Sequence, residues 1–332
     1  MAASISSLLL DWYDRHARDL PWRSPPGTPA PDPYRVWLSE VMLQQTTVAA
    51  VKPYFAAFTA RWPTVEALAA AEEGDVMAAW AGLGYYSRAR NLVAAARAVA
   101  VRGGFPDTEA ELRELPGLGA YTAAAVAAIA FGRRAVVVDA NVERVTTRLF
   151  AISEPLPGAR PVIRRQVDTI TPSARAGDFA QAMMDLGATI CTAREPRCLL
   201  CPVAEACAGR RSGDPARFPV KAAKKPKPVR TGTAYWIERE GAVWLVRRAG
   251  TGMLGGMRAL PDDGWSVRGD GADGPAGEPL GLVRHGFTHF DLELSVEAIR
   301  EPLGQGEWWP LDQLEEAGLP TLFAKAARVA QA

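Results

Sequence analysis

The four cysteines of the chain all lie in one short segment, with the spacing Cys191-x6-Cys198-x2-Cys201-x5-Cys207. A secreted protein stabilised by disulfides spreads its cysteines so that they cross-link distant loops. Four thiolates on one loop are instead suited to an iron–sulfur cluster or to zinc. Zinc sites usually pair two C-x2-C hooks, and only Cys198 and Cys201 form one here. The spacing favours a cluster and a reducing, intracellular compartment, with zinc or two local disulfides as alternatives.

A glutamate in apolar surroundings is the first candidate for acid–base chemistry. Glu40 lies in a helical segment, and its neighbours one turn away on a helix are Val36, Trp37 and Leu43. Partial desolvation by such neighbours raises the pKa of a carboxyl, which then holds its proton at neutral pH. The alternative for a single glutamate on a helix is a solvated charge. The apolar flanks and the Gln44-Gln45-Thr46 sequence that follows favour the functional interpretation.

A second carboxylate, Asp139, follows the apolar run Val136–Val138 and precedes a predicted helix over 142–150. This position predicts an N-cap, which by itself contributes roughly 1 kcal/mol to helix stability. The helix N-terminus favours the ionised form of a carboxylate. Asp139 can therefore be both a cap and a functional anion.

A glycine-containing turn, Leu115-Pro116-Gly117-Leu118-Gly119, separates the helical run 108–115 from the alanine-rich helix predicted over 120–131. Gly117 and Gly119 permit a sharp turn and leave backbone N–H groups uncovered at the start of the second helix. Such groups favour an anion, and a DNA phosphate is a natural one. A plain helix–turn–helix corner fits the same five residues.

Periodicity divides the chain into two parts that differ in charge. Residues 1–210 show helical spacing, a stretch rich in proline and lysine follows over 215–230, and the spacing then changes to that of strands. Residues 1–230 carry 29 Lys and Arg against 22 Asp and Glu, a net charge of +7, whereas residues 231–332 carry 9 against 15, a net charge of −6. A basic first part suggests a polyanionic partner. No signal peptide or membrane span is expected, so we predict a soluble cytoplasmic protein.

In combination, the L-P-G-x-G hairpin, the V-D-x-N-V segment and the cysteine loop resemble the iron–sulfur DNA glycosylases of the endonuclease III superfamily, over about residues 5–210. The resemblance implies a [4Fe-4S] cluster on the four cysteines and a mainly α, two-part helical glycosylase fold. The expected domains are 1–212 (a six-helix part over about 26–137 and a cluster part over about 1–25 and 138–212), a linker over 213–230, and a domain over 231–332.

Tyr121, two residues after the second hairpin glycine, indicates the branch of the superfamily. Bifunctional members carry a lysine there that forms a Schiff base with the sugar, which a phenol cannot do. In this respect and in the segment around Glu40 the chain resembles the MutY family of monofunctional adenine DNA glycosylases. The resemblance implies that Glu40 protonates N7 of adenine, that Asp139 stabilises the oxocarbenium-like sugar, and that Tyr121 and Asn141 orient Asp139. This division of labour is similar to glycoside hydrolysis by two carboxylates.

The same resemblance implies a set of DNA contacts on a flipped-out base. Those expected to fill or support the gap in the duplex are Gln44, Gln45, Thr46, Leu83 and Tyr85. Those expected around the extruded adenine are Arg18, Trp22, Arg23 and Asp185, with Arg23 followed by a longer, proline-rich loop than the family pattern has.

Residues 231–332 resemble the C-terminal domain of the MutY family, an α+β domain with the fold of Nudix hydrolases. The glutamate-rich Mg²⁺-binding helix of active Nudix hydrolases is missing after Pro261, so we expect the fold without the hydrolysis. Phe287-Thr288-His289 matches a Phe-Ser-His loop that recognises 8-oxoguanine, with Thr288 in place of serine. An alternative for His289 is a hairpin histidine without a ligand.

We therefore expect a monomeric DNA glycosylase that removes adenine paired with 8-oxoguanine, and also with guanine, from double-stranded DNA. In a bacterium it would be associated with the nucleoid. Three other functions compete with this one: a bifunctional glycosylase/lyase, which Tyr121 disfavours; a non-catalytic DNA sensor, which the pair Glu40 and Asp139 disfavours; and a nucleotide hydrolase acting through the second domain.

Overall fold

The computed structural model describes residues 4–222, 226–249, 253–265 and 274–332. They form two compact units, one of Met1–Ala69 with Ala94–Lys224 and one of Ala70–Val93 with Lys225–Ala332. Residues 70–93 thus group with the C-terminal part of the chain, which the sequence does not indicate. Over the described ranges, no helix combines the length and the apolar character needed to cross a bilayer.

The first unit is helical, as predicted, and the alanine-rich α8 (Ala120–Phe131) is its central helix. Every residue from Thr122 to Ala130 is buried, because small side chains let neighbouring helices approach from all sides. Helix α8 packs against α2, α7 and α11, and α11 also packs against α1 and α9. The helices are α1 (Ile5–His16), α2 (Pro33–Leu43), α3 (Val48–Arg61), α4 (Val65–Ala69), α5 (Glu73–Ala79), α6 (Ser87–Arg102), α7 (Glu109–Leu112), α8, α9 (Ala140–Leu149), α10 (Arg160–Ile170), α11 (Ala176–Thr189) and α12 (Ala208–Arg211). Helix α5 and the start of α6 belong to the second unit.

The first half of the predicted linker is held against the first unit. After a 3₁₀ turn at Pro215–Arg217, the Phe218 side chain is buried and its carbonyl accepts a hydrogen bond from Arg148 Nε at 3.0 Å. Two residues later, the Val220 carbonyl accepts from Leu156 N at 2.9 Å. The Phe218 side chain and these backbone hydrogen bonds therefore anchor the first half of the linker. Its prolines and lysines had predicted an extended, exposed segment. Residues 223–225 of the linker lie outside the described residues.

The second unit is built on two sheets, in agreement with the predicted α+β class. In the first sheet, β1 (Val229–Trp236) pairs in parallel with β6 (Asp291–Ala298), which pairs antiparallel with β5 (Glu278–Gly286). In the second, β3 (Ala242–Arg247) pairs with β2 (Glu238–Arg239), β4 (Arg258–Ala259) and β7 (Gly306–Pro310). The chain ends with a 3₁₀ segment, Leu311–Ala317, and with α13 (Thr321–Ala330), which packs on β5 and β6.

The apolar runs at 235–237 and 243–246, on either side of Glu240-Gly241, predict a hairpin, and the observed hairpin is shorter than these runs suggest. Glu240 and Gly241 both have positive φ, 51° and 76°, which suits the two-residue turn between β2 and β3. Tyr235 and Trp236 instead end β1, so the chain passes from one sheet to the other at Ile237. The segment that would carry the Nudix glutamates falls largely on residues 266–273, which lie outside the described residues.

Candidate active site

Glu40 is buried near the end of α2, with 5% of its surface exposed. Val36 and Trp37, one turn earlier on the helix, are completely covered, as the sequence predicts. Burial raises the pKa of Glu40 to about 7; the negative charge of Asp139 adds to the rise, and a hydrogen bond from Tyr121 opposes it. Glu40 can therefore hold a proton at neutral pH and release it near pH 7.

Asp139 is the N-cap of α9, as predicted. Its Oδ1 accepts a hydrogen bond from Val142 N at 2.7 Å and its Oδ2 accepts one from Asn141 Nδ2 at 2.9 Å. Burial raises the pKa of Asp139, and the hydrogen bonds from Val142 and Asn141 counteract that rise because they favour the ionised form. The helix terminus thus supplies donors to a half-buried carboxylate.

The Tyr121 hydroxyl donates to Glu40 Oε2, across a sequence separation of 81 residues. Tyr121 lies in the first turn of α8, two residues after Gly119. The family resemblance assigns this tyrosine to orienting Asp139; in the structure its hydrogen bond goes to the other carboxylate. Burial, together with the charges of Glu40 and Asp139, raises the pKa of Tyr121 well above its usual value, so the hydroxyl keeps its proton.

A chain of hydrogen bonds links Asp139 to the start of the cysteine loop. Asn141 donates to Asp139, and Asn141 Oδ1 accepts from Arg144 Nη2 at 2.7 Å. Arg144 also donates through Nε to the Cys191 carbonyl at 2.8 Å and through Nη2 to the Gly187 carbonyl at 2.6 Å. A side chain added at Gly187 would come within 2.6 Å of the Asn141 Cβ, so α9 and α11 meet closely behind the two acidic groups.

Asp185 on α11 is completely buried and binds two arginines. Arg18 Nε donates to Oδ1 at 2.6 Å, the Arg18 backbone N–H donates to Oδ2 at 3.0 Å, and Arg23 Nη1 donates to Oδ2 at 2.8 Å. Arg23 also interacts electrostatically with Glu40 and lowers its pKa. Trp22, between the two arginines, is buried with its ring edge-on to Phe55 at a centroid separation of 5.2 Å. The structure brings together Arg18, Arg23 and Asp185, and it places Trp22 in their supporting core.

The residues after α2 form a turn whose tip is Gln45. Gln44 Nε2 donates to Thr122 Oγ1 at 3.1 Å, and Thr46 Oγ1 donates to the Gln44 carbonyl at 3.2 Å. Gln45 is exposed and has a φ of 59°, a conformation that non-glycine residues rarely adopt. Gln44 is therefore fixed to α8, while Gln45 projects outward.

The turn before α8 leaves its helix N-terminus accessible. Gly117 has a φ of 73°, which favours glycine, and Gly119 is an N-cap without a side-chain hydrogen bond. A methyl group added at Gly119 would meet no protein atom within 4 Å. The exposed backbone N–H groups are thus open to an anion, as the sequence predicts.

The four cysteine side chains line one small cavity. Cys191 follows α11, Cys198 begins a 3₁₀ turn, and Cys207 caps α12, so short helical segments fix three of them. All four are free thiols. Among the residues that the structure describes, no three His, Cys, Asp or Glu side chains are grouped closely enough to hold a single metal ion.

Arg148, which is 1% exposed and also lines this cavity, donates to three successive backbone carbonyls of the cysteine loop. Its Nη1 lies 3.3 Å from Cys191 Sγ and 2.7 Å from the Thr192 carbonyl, and its Nη2 lies 2.9 Å from the Ala193 carbonyl. Neither Arg144 nor Arg148 is among the residues picked out from the sequence. Their spacing on one face of α9, beginning three residues after Asn141, is the signal that could have found them.

A cavity of about 340 Å³ lies in the second unit. Its lining includes Tyr85 together with Phe287, Thr288 and His289, which are residues predicted to act on DNA. Tyr85, Thr288 and His289 are exposed, whereas Leu83 is buried at 6% exposure. His285, a lining residue not predicted from the sequence, has its ring edge-on to Phe287 at 4.7 Å.

Comparison with known proteins places these features in a family. Residues 38–165 match the HhH-GPD superfamily of base excision DNA repair proteins, and residues 232–328 match the NUDIX domain family. The human adenine DNA glycosylase is 34% identical over 97% of this chain and 73% of its own length. The chain belongs to the adenine DNA glycosylase family.

A second adenine DNA glycosylase and a solved structure of another glycosylase are also similar to this chain. The adenine DNA glycosylase of Mycolicibacterium smegmatis (strain ATCC 700084 / mc(2)155) is 43% identical over 63% of this chain and 70% of its own. The structure of a thermostable thymine-DNA glycosylase has 31% identity and a TM-score of 0.56, covering 62% of this chain and 95% of that chain. The resemblance drawn from the sequence is therefore confirmed for the family, for the helical hairpin fold, for DNA glycosylase activity and for the Nudix-like second domain.

Proposed function

We propose that this chain excises adenine paired with 8-oxoguanine or guanine in double-stranded DNA, and leaves an abasic site. The observation that carries the proposal is the pair of carboxylates, the buried Glu40 and the half-buried Asp139, which interact electrostatically and have different hydrogen-bond partners. Two acidic groups in different environments provide an acid and an anion at one pH. Family membership supports adenine as the base.

Glu40 is the proton donor in this proposal. Adenine leaves readily only after N7 is protonated, and a carboxyl with a pKa near 7 is well matched to that transfer at neutral pH. Tyr121 fixes the Glu40 carboxyl by its hydrogen bond. After adenine departs, the deprotonated Glu40 is available as a base for the attacking water.

Asp139 stabilises the positive charge that develops on the sugar as the glycosidic bond breaks. Donors from the helix N-terminus and from Asn141 hold its carboxylate in place, so little reorganisation is needed when the charge appears. Tyr121 occupies the position of the lyase lysine, and a phenol carries no amine for an imine. Strand cleavage by that route is therefore not expected.

The extruded adenine would be recognised beside Arg18, Arg23 and Asp185, with Trp22 as support. Arg18 and Arg23 are both paired with the buried Asp185, and Arg23 also interacts electrostatically with Glu40. In this proposal Gln45 and Tyr85 enter the duplex from exposed turns. Their neighbours Gln44, Thr46 and Leu83 support them. The backbone at Gly117 and Gly119 binds a phosphate.

The base opposite adenine would be read at the cavity of the second unit. Tyr85 offers a stacking face, and Thr288 and His289 offer polar groups for the edge of an oxidised purine. Because these lining residues all come from one unit, a single folded body carries the whole recognition surface. We propose the domain limits given above for the two functions, with residues 70–93 added to the recognition unit.

The cysteine residues fit a [4Fe-4S] cluster. All four side chains line one small cavity, which brings together the four thiolates that such a cluster takes as ligands. Only Cys198 and Cys201 have the C-x2-C spacing that zinc sites usually repeat, so the donor set favours the cluster over zinc. The four cysteines would hold the cluster, which would fix the loop that carries basic residues such as Arg194 and Arg197.

The test is a cleavage assay on duplexes containing 8-oxoguanine:A, G:A or thymine glycol, each with and without hot alkali. We expect strand breaks at adenine only after alkali, and no borohydride-trapped complex. Glu40→Gln should abolish adenine release in a single turnover. Breaks without alkali on the thymine glycol duplex, with a trapped imine, would reject the proposal in favour of a glycosylase/lyase.

A further inference from the structure

The turn between α5 and α6 holds Tyr85 in an unusual backbone conformation. Gly82, Gly84 and Tyr85 have φ values of 99°, 68° and 49°, so three of four consecutive residues are left-handed. Tyr85 is not a glycine, and 52% of its surface is exposed. Such a conformation persists only where the surrounding structure fixes it.

Arg88, in the first turn of α6, supplies that constraint from inside the protein. Its Nη2 donates to the Leu83 carbonyl at 3.0 Å and to the Gly84 carbonyl at 3.1 Å, the two residues directly before Tyr85. The Gly84 carbonyl also accepts from Trp80 Nε1 at 3.1 Å. The backbone that leads into Tyr85 is thus bound at two successive carbonyls.

The guanidinium of Arg88 also lies between two aromatic rings. It is 5.2 Å from the ring centroid of Trp80 and 5.7 Å from that of Tyr85. Arg88 itself is only 7% exposed. Burial lowers its pKa to about 10, which leaves it charged at neutral pH and able to interact with both rings. Lysine could not reproduce this arrangement, because a single ammonium lacks the planar, forked set of donors.

We propose that Arg88 is a positioning residue, which holds Tyr85 outward in the conformation that enters DNA. The inference rests on the proposed function of Tyr85 and adds a residue that makes the turn rigid before DNA arrives. A preorganised turn binds more tightly because less conformational entropy is lost on binding. Arg88 would thereby strengthen binding to the mispair without touching the DNA.

The first measurement concerns the DNA-free protein and does not depend on the proposed function. We would compare amide hydrogen exchange over 82–86 in the wild type, Arg88→Met and the control Arg97→Met, which changes an exposed arginine on the same helix. Arg88→Met should speed exchange by about tenfold, and Arg97→Met should leave it unchanged. Unchanged exchange in Arg88→Met would overturn the proposal.

The second measurement is a double-mutant cycle on binding to a duplex with 8-oxoguanine opposite 2′-fluoro-adenosine, which resists excision. Tyr85→Ala is expected to weaken binding by about 30-fold and Arg88→Met by about tenfold, but the double variant no more than Tyr85→Ala alone. If the double variant instead bound about 300-fold more weakly than the wild type, the two losses would be independent, and Arg88 would not act through Tyr85.

A third variant covers the case in which Arg88→Met does not fold. Arg88→Lys keeps the charge and the aliphatic stem, and it should give intermediate exchange and binding; wild-type values for both would overturn the proposal. If the wild type showed no preference for 8-oxoguanine:A over undamaged DNA, the proposed function would fail, while the exchange result would still decide whether Arg88 holds the turn.

Discussion

Glu40 owes its chemistry to its position, since the same carboxyl on an exposed helix face would be ionised at neutral pH. Burial raises its pKa to about 7. In the proposed role of proton donor it acts in the protonated form, so single-turnover adenine excision should be constant below about pH 6 and fall about tenfold per pH unit well above pH 7. A pH–rate profile measures this, and a rate that rises through pH 7 would exclude Glu40 as the acid.

Tyr121→Phe gives a more specific test of the same residue. The Tyr121 hydrogen bond lowers the pKa of Glu40, so its removal should raise that pKa and move the fall in rate to higher pH. The rate at the plateau should also decrease, because the carboxyl loses the group that orients it. Tyr54→Phe, on another helix, provides a matched control. A profile that moved to lower pH would contradict the assigned direction.

Stability should depend on Glu40 with a definite sign. Its pKa in the folded state, about 7, exceeds the ordinary value of 4.5, so the folded protein binds the proton more tightly than the unfolded chain. The free energy of unfolding therefore decreases between about pH 4.5 and pH 7, and the loss persists above pH 7. Glu40→Gln should raise Tm at pH 8 more than at pH 5. Glu66→Gln, an exposed change, should show no such difference.

At the scale of elements, the crossing of α9 and α11 aligns Asp139 and Asn141. Gly187 lies there because a methyl group would come within 2.6 Å of the Asn141 Cβ. Gly187→Ala should displace Asn141, decrease excision by about tenfold or more, and destabilise the protein by about 1–3 kcal/mol. Gly119→Ala, which has open space, is the control for stability. Denaturant unfolding and single-turnover rates measure the two effects.

The contact between α2 and α8 gives another prediction. Thr122 is 1% exposed and accepts the Gln44 side chain, which precedes the outward-facing Gln45. Thr122→Val keeps the shape but removes the acceptor, so we expect a loss of about 1 kcal/mol in stability and slower excision. Thr122→Ser keeps the hydroxyl and should retain more of the rate. Equal rates in the two variants would show that this hydrogen bond does not matter.

Local patterns in the sequence were sufficient to predict the helical elements and the residues whose roles depend on near neighbours in the chain. The Asp139 cap and the hairpin turn before α8 both depend on neighbours within a few residues. The links between elements could not be predicted, because they join residues far apart in the chain. The Tyr121 hydroxyl reaches Glu40, 81 positions away, and Arg148 reaches Phe218, 70 positions away. Nothing in local periodicity or capping encodes such partners.

At the scale of the whole molecule, residues 70–93 belong to the unit that contains the Nudix-like domain. An isolated 231–332 fragment would lack Gly84, Tyr85 and Tyr86, which line the cavity of about 340 Å³ in this unit. Tests of this domain therefore require the full chain. We expect the full chain with Mg²⁺ to leave oxidised dGTP intact, because the glutamates that would bind the metal are missing from the sequence. Release of pyrophosphate in a direct assay would restore the nucleotide hydrolase hypothesis.

The anchoring of Phe218 has a practical consequence for anyone exchanging domains between relatives. A chimera joined at residue 213, where composition alone suggests a boundary, would replace the segment whose carbonyl meets the guanidinium of Arg148. The Arg148 guanidinium is buried beside the cysteine loop. A foreign segment without a carbonyl at this position would therefore leave the charged Nε–H group without a hydrogen-bond acceptor. The safer junction lies after Ala222, where the last backbone bond to Leu156 has been made.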